Sequence, residues 1–134
     1  GTQTAALLGF GNVGAGTGTK TNESLEYNGT AFSAGGDGNR AKKSLGGAGV
    51  QTLALAIGGR SDPDVFEDET EEYNGTTWSQ TEVISEAIDR NSGAGTSGSA
   101  CLRMGGSTTS PANTGDVTTQ EWTKTATAYT VTSS

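Results

Sequence analysis

The sequence predicts an all-β protein built from three imperfect repeats, and three observations predict it. Residues 26–32 (Glu-Tyr-Asn-Gly-Thr-Ala-Phe) return, nearly unchanged, at residues 72–78 (Glu-Tyr-Asn-Gly-Thr-Thr-Trp). Residues 1–7 return at residues 49–55, and a third, weaker copy begins near residue 93. The period is therefore about 47 residues, and a period of 40–50 residues with several strands per unit is typical of propeller blades.

The composition first suggests a different answer, namely a disordered chain. Leu, Ile, Val and Phe together make up only 19 of the 134 residues, while glycine alone contributes 22. So low a share of large apolar residues is common in disordered chains. Disordered tails do not place Tyr-Asn-Gly and Gly-Gly at matched offsets, so we interpret the chain as a sheet protein. The repeat copies are predicted at residues 1–39, 40–86 and 87–134.

The strands of the second copy are marked by their turns. An apolar run over residues 52–57 is closed by Gly58-Gly59, which suits a strand buried on both faces, and a strand is predicted over residues 51–57. Residues 69–74 and 76–80 flank Asn74-Gly75, and Asn-Gly between two strand-like runs is the strongest short hairpin signal because both turn positions need positive φ. The same hairpin is predicted at Asn28-Gly29. Both turns also read as glycosylation sequons, but the hairpin explains them without a sugar.

Sequence differences between the copies concentrate in one loop, which follows the strand that ends at the Gly-Gly doublet. Residues 12–21, 60–69 and 107–115 form this loop in the three copies. Repeat proteins often carry binding on a loop that varies while the scaffold stays fixed. The candidate ligand-contacting residues are Asn12, Lys20, Arg60, Asp62, Asp64, Ser107 and Asn113.

The motifs resemble the kelch-type β-propeller repeat, in which a Gly-Gly doublet ends a strand, a variable loop follows, and a Tyr precedes a Trp. The matching residues are Gly58, Gly59, Gly105, Gly106, Tyr27, Phe32, Tyr73 and Trp78, with Trp122 and Tyr129 as a weaker third pair. The phrasing of residues 47–59 and 70–78 is most similar to Gly/Thr-rich repeats in virion and tail-fibre proteins of marine bacteriophages. The resemblance implies about three four-stranded antiparallel blades, with the aromatic residues buried between them.

The blade count predicts that the chain is part of something larger. The first copy lacks its opening strand, and the last closing strand is predicted over residues 127–132. Propellers usually close with four to eight blades. We therefore expect either further polypeptide before Gly1 or several copies of the chain that complete one another, with the strand near Leu7 packing against residues outside 1–134.

Few residues of this sequence are of the types and spacings that catalytic sites require. The chain has no histidine, which removes Ser-His-Asp triads and His-based metal sites. The acidic loop suggests a weak calcium site at Asp62, Asp64 and Asp68, although a solvated acidic loop explains it better. Cys101 is alone and is interpreted as core filler. We predict no catalytic residue and no cofactor.

Charge and hydropathy narrow the class of partner. The net charge is −7, and the basic run at residues 40–43 is short, so we expect no nucleic-acid partner. No apolar stretch approaches the roughly 20 residues of a membrane span. The resemblance implies a non-enzymatic protein of the virion surface that binds other virion proteins, copies of itself, or a host glycan or protein. A bacterial extracellular adhesion or scaffold protein and a glycan-active propeller enzyme are the alternatives.

Overall fold

A computed structural model gives the structure of this chain and describes residues 1–14, 18–97, 99–108, 115 and 117–124. All regular secondary structure in these residues is strand, which confirms the predicted all-β class, and none of them belongs to a helix able to cross a membrane. The strands are β1 (Ala6–Val13), β2 (Thr19–Tyr27), β3 (Phe32–Ala34), β4 (Lys42–Lys43), β5 (Gly46–Val50), β6 (Leu53–Ile57), β7 (Arg60–Ser61), β8 (Val65–Phe66), β9 (Thr70–Tyr73), β10 (Trp78–Gln80), β11 (Ser92–Ser97), β12 (Ala100–Met104) and β13 (Thr119–Thr123).

The strands form three antiparallel sheets, one for each repeat, and a small additional sheet. Sheet 1 has the order β1-β2-β3, sheet 2 the order β5-β6-β9-β10, and sheet 3 the order β11-β12-β13. Sheet 2 therefore contains the complete four-stranded unit expected from the sequence. The predicted strand over residues 127–132 and the Trp122–Tyr129 pair lie outside the described residues. Strands β4, β7 and β8 form the additional sheet, called the connecting sheet below.

The register shows that the three sheets are equivalent in structure. In each sheet, a small residue near the start of the second strand of the unit lies opposite an aromatic residue of the third strand. The pairs are Ala6 with Tyr27, Ala54 with Tyr73, and Cys101 with Trp122. Because a one-residue slip would exchange the two faces of a strand, this shared register puts equivalent residues on equivalent faces.

The two Asn-Gly hairpins stand where they were predicted, but their geometry differs from the expectation. The Tyr27–Phe32 and Tyr73–Trp78 pairs close turns of four residues rather than two. Only the glycine of each turn, Gly29 or Gly75, has positive φ, at 93° in both cases. The expectation that the asparagine also needs positive φ was wrong. Its side chain instead accepts hydrogen bonds from the amides two and three residues later.

The glycine doublets at 58–59 and 105–106 end β6 and β12 through two consecutive positive φ angles. Gly58 and Gly59 have φ of 61° and 103°, and a Cβ on Gly58 would lie 2.7 Å from the carbonyl oxygen of Ile88. In the first copy, Phe10 and Gly11 adopt the same pair of angles, 63° and 116°. Phe10 thus occupies a position that strongly favours glycine. The unfavourable backbone conformation of Phe10 is offset by its ring, which packs edge-on against Trp78 with the ring centroids 5.1 Å apart.

Two hydrophobic clusters lie between the three sheets and pack them together. The cluster between sheets 1 and 2 consists of Ala54, Ala56, Tyr73 and Trp78, with Leu7, Phe10 and Leu45 packed against it. The cluster between sheets 2 and 3 consists of Leu55, Ile57, Ile84, Ile88, Cys101 and Trp122, with Ala48 packed against it. The sheets therefore stack in chain order, and each cluster is shared by consecutive repeats.

Cys101 lies inside the second cluster, 5 % exposed, as the core-filling interpretation predicted. Burial raises the pKa of its thiol above the ordinary value, which lowers the thiolate fraction at neutral pH. We therefore expect Cys101 to react with a thiol-specific aromatic disulfide only after urea unfolding, and the absorbance of the released thiolate measures this. Full reaction within seconds in native buffer would contradict the packing between sheets 2 and 3.

Candidate interaction surfaces

Each sheet has two chemically different faces. Side chains alternate along a strand, and residues directly opposite on paired strands share a face. The aromatic face is the one that carries Tyr27 in sheet 1, Tyr73 in sheet 2 and Trp122 in sheet 3. The opposite face carries a glutamate one residue earlier, at Glu26, Glu72 or Glu121, and is called the glutamate face.

The contact between sheets 1 and 2 joins the glutamate face of sheet 1 to the aromatic face of sheet 2. Trp78 is the centre of this contact and packs against Tyr73 with ring centroids 5.0 Å apart. Its indole nitrogen donates to the hydroxyl of Ser24 in sheet 1 at 3.3 Å. The Tyr73 hydroxyl donates to the carboxylate of Glu26. Burial and the nearby Glu26 raise the pKa of Tyr73, so the hydroxyl keeps its proton at neutral pH.

The contact between sheets 2 and 3 follows the same arrangement. Leu55 lies on the glutamate face of sheet 2 and packs with Cys101 and Trp122 of the aromatic face of sheet 3. Glu72 takes the place of Glu26, and both its carboxylate oxygens lie 2.8 Å from the ammonium of Lys124. The donor has changed from a tyrosine to a lysine, but the acceptor position is the same.

The aromatic face of sheet 1 has no sheet stacked on it among the described residues. Leu8 lies opposite Leu25, and Tyr27 lies opposite Phe32 with ring centroids 4.7 Å apart, so these four apolar side chains form one patch. Leu8, Leu25 and Phe32 are 48, 44 and 56 % exposed. Tyr73 and Trp78, the counterparts of Tyr27 and Phe32, are buried.

The prediction that all four hairpin aromatics are buried between sheets is therefore wrong for Phe32 and only partly met by half-buried Tyr27. The reason is position in the stack. The burial of Trp78 comes from Phe10 and Ser24 of sheet 1, whereas no sheet of the described residues lies against Phe32 in the same way. Nearly the same local sequence thus gives opposite exposure.

The glutamate face of sheet 3 is open as well. Leu102, the counterpart of buried Leu55, is 42 % exposed, and Met104 beside it is half-buried. Glu121 lies opposite Leu102 and is exposed. The described part of the chain therefore ends in one open aromatic face and one open glutamate face.

The structure brings three of the candidate ligand-contacting residues together, Lys20 with Asp62 and Asp64, but it does not gather the whole set on one surface. Arg60 and Ser107 are buried, and Arg60 pairs with the buried Asp89 at 2.8 Å. Lys20 is buried against Asp62 and Asp64. These side chains are held by other parts of the protein, which leaves little of them for a ligand. Asn12 is exposed, and Asn113 lies outside the described residues.

The acidic loop also serves structure in the described part of the chain. Hydrogen bonding with Lys20 lowers the pKa of the exposed Asp64 carboxyl and raises that of the Lys20 ammonium, where Asp62 contributes most. Asp68 is half-buried, and its carbonyl accepts the amide of Ile84. Among the described residues, no three acidic, cysteine or histidine side chains are grouped to hold a metal ion.

A groove of about 590 Å³ opens between sheets 1 and 2. Its walls include Leu7, Phe10, Leu45, Ala48 and Trp78, and glycine backbone forms much of the remainder. The groove is lined by apolar side chains and by polar backbone in similar measure, and it belongs to the packing of the two sheets.

The sequence reasoning found the aromatic positions but missed the leucines and glutamates of the two open faces. A signal for the glutamates was present, because a Glu precedes the aromatic residue at 26, 72 and 121. The two leucines of the first copy, Leu8 and Leu25, stand where the second copy has Ala56 and Glu71, and only the register reveals that they are paired. No protein-family model matches this chain, and no match was found among the curated proteins.

Proposed function

We propose that this chain is a non-enzymatic structural and binding component of a bacteriophage particle, displayed on a fibre, tail or capsid surface. In this proposal the three sheets are blades of a kelch-like β-propeller, and the protein acts in assembly or in attachment to a host surface. Its location is the virion surface, outside the cell.

The observation that carries the proposal is the pair of open faces at the two ends of the stack. An exposed patch of Leu8, Leu25, Tyr27 and Phe32 is a feature of surfaces that bind other proteins, because monomeric soluble proteins rarely leave large contiguous apolar patches in water. The assignment to a phage particle rests on the resemblance of residues 47–59 and 70–78 to repeats of virion and tail-fibre proteins, and that step is analogy.

Mass spectrometry of purified particles tests this function. Phage particles that carry the gene should yield peptides of this chain in fixed ratio to the major capsid protein, after density-gradient purification and protease treatment of contaminating host protein. Peptides that appear in the lysate of infected cells but not in the purified particles would contradict the proposal.

A further inference from the structure

We propose that the open aromatic face of sheet 1 binds the open glutamate face of sheet 3 in a second copy of this chain. The inference rests on the proposed function, because it names the chain itself as an assembly partner of the open faces. The chain already makes two contacts of this kind between its own sheets.

Both internal contacts join a glutamate face to the aromatic face of the next sheet. Sheet 1 presents Leu7 and Glu26 to sheet 2, and sheet 2 presents Leu55 and Glu72 to sheet 3. Sheet 3 presents Leu102 and Glu121 in the same register, and both are exposed. Sheet 3 thus carries a third glutamate face like those that sheets 1 and 2 use to contact the next sheet.

The other half is present on sheet 1. Ala6, Tyr27 and Phe32 occupy the positions that Ala54, Tyr73 and Trp78 occupy in sheet 2. In the internal contact, the Tyr73 hydroxyl donates a hydrogen bond to the Glu26 carboxylate. The same arrangement between two copies places the Tyr27 hydroxyl of one copy against the Glu121 carboxylate of the other.

The polar groups fit this pairing and argue against a contact between two identical faces. Glu121 has only a weak internal donor among the described residues, the Thr123 hydroxyl at 3.4 Å. Two glutamate faces in contact would oppose two carboxylates, and two aromatic faces would oppose two tyrosine hydroxyls with no carboxylate to accept from them. The pairing of unlike faces sets one hydroxyl donor against one carboxylate acceptor. The contact is therefore head to tail.

A head-to-tail contact closes into a ring or continues as a filament, depending on the rotation that each contact adds. Two copies would bring six repeat sheets together, and propeller rings of about four to eight sheets are the usual closed forms. Such a ring forms two equal contacts at once, so each need supply only about half of a standard interface. We therefore propose a dimer of two copies.

Sedimentation equilibrium of the 134-residue chain and of three variants tests this proposal. The wild type should have twice the 13.5 kDa chain mass at micromolar concentration. Phe32→Glu places a charge on the aromatic face of sheet 1, and Leu102→Glu places one on the glutamate face of sheet 3. Each should raise the dissociation constant by roughly 100-fold or more, because a buried unpaired charge is unfavourable. Val65→Glu, at an exposed position of the connecting sheet, should stay dimeric.

A mixture of the two face variants distinguishes head-to-tail from other contacts. Phe32→Glu keeps sheet 3 intact and Leu102→Glu keeps sheet 1 intact, so the mixture retains one good contact and should associate where neither variant does alone. Tyr27→Phe and Glu121→Gln should each weaken the wild-type dimer by at least about tenfold, and the double variant no further than the stronger single one.

The outcomes that overturn the proposal are distinct from those that overturn the proposed function. A wild type that stays monomeric at high concentration, a Leu102→Glu variant that still dimerises, or a mixture that does not associate would each reject the head-to-tail dimer. Circular dichroism and thermal unfolding show whether each variant is folded, and both substituted side chains are exposed. A monomeric chain found in purified particles would reject the dimer and keep the function, whereas a dimer absent from particles would do the reverse.

Discussion

Replacement of Lys42 with methionine is expected to lower the free energy of unfolding by about 3–5 kcal/mol. The Lys42 ammonium lies 2.9 Å from the Glu71 carboxylate, and both side chains are at most 1 % exposed. Their contact is an ion pair, and the backbone and side-chain amides of Asn39 satisfy the other Glu71 oxygen. Without Lys42, the Glu71 carboxylate stays buried and charged, and it keeps its hydrogen bonds from Asn39 but loses the neighbouring positive charge. Urea unfolding followed by tryptophan fluorescence measures the change.

Lys43→Met is the matched control for this prediction. Lys43 is the next residue of the same strand, but it pairs with the half-exposed Asp64 at 3.4 Å, so its loss should lower stability by no more than about 1 kcal/mol. The double variant Lys42→Met with Glu71→Leu should recover most of the lost stability, since no unpaired charge remains. Equal effects of Lys42→Met and Lys43→Met would show that the buried pair is not a main contributor to stability.

Trp78→Ala is expected to lower the free energy of unfolding by about 3–5 kcal/mol. The indole is 8 % exposed and fills the space between sheets 1 and 2, where it contacts Phe10 and Tyr73 and donates to Ser24. Removing it leaves a cavity that the small neighbours Ala54 and Ala56 cannot fill. Trp122 remains as the fluorescence probe, so the same urea titration applies.

Val83→Ala serves as the control for Trp78→Ala, because Val83 is 55 % exposed and its truncation should change stability by about 0.5 kcal/mol or less. Trp78→Phe introduces the residue that the first repeat has at this position, and its loss of stability should lie between those of Trp78→Ala and Val83→Ala. If Trp78→Ala behaves like the surface control, Trp78 is not the packing residue between the sheets, and an exposed ligand platform becomes the better interpretation.

The local signals of the sequence predicted the strands and hairpins well. The Gly58-Gly59 doublet, the Asn74-Gly75 turn and the alternation around them act over a few residues, and three strands of sheet 2, β6, β9 and β10, lie within the predicted ranges. The fourth, β5, lies outside them. Repetition at a fixed period then placed the same elements in the other copies. Both kinds of signal are properties of short segments and do not depend on what lies next to them.

The arrangement of side chains between segments was not predictable in the same way. Phe32 and Trp78 share a local motif, but among the described residues only Trp78 has another sheet packed against it. Arg60 belonged to a variable loop by sequence and is buried through a partner 29 positions away, Asp89. Phe10 takes the backbone conformation of a glycine because its ring packs against Trp78. These outcomes depend on contacts across sheets, which a single sequence does not display.

The dependence of the melting temperature on protein concentration tests the central claim most directly, namely that the open faces of this chain bind each other. A folded dimer is stabilised by mass action, so the wild-type melting temperature should rise between about 1 µM and about 100 µM protein. Phe32→Glu should melt below the wild type at equal concentration, and its melting temperature should change less across that range. A wild-type melting temperature that does not change with concentration would contradict the claim.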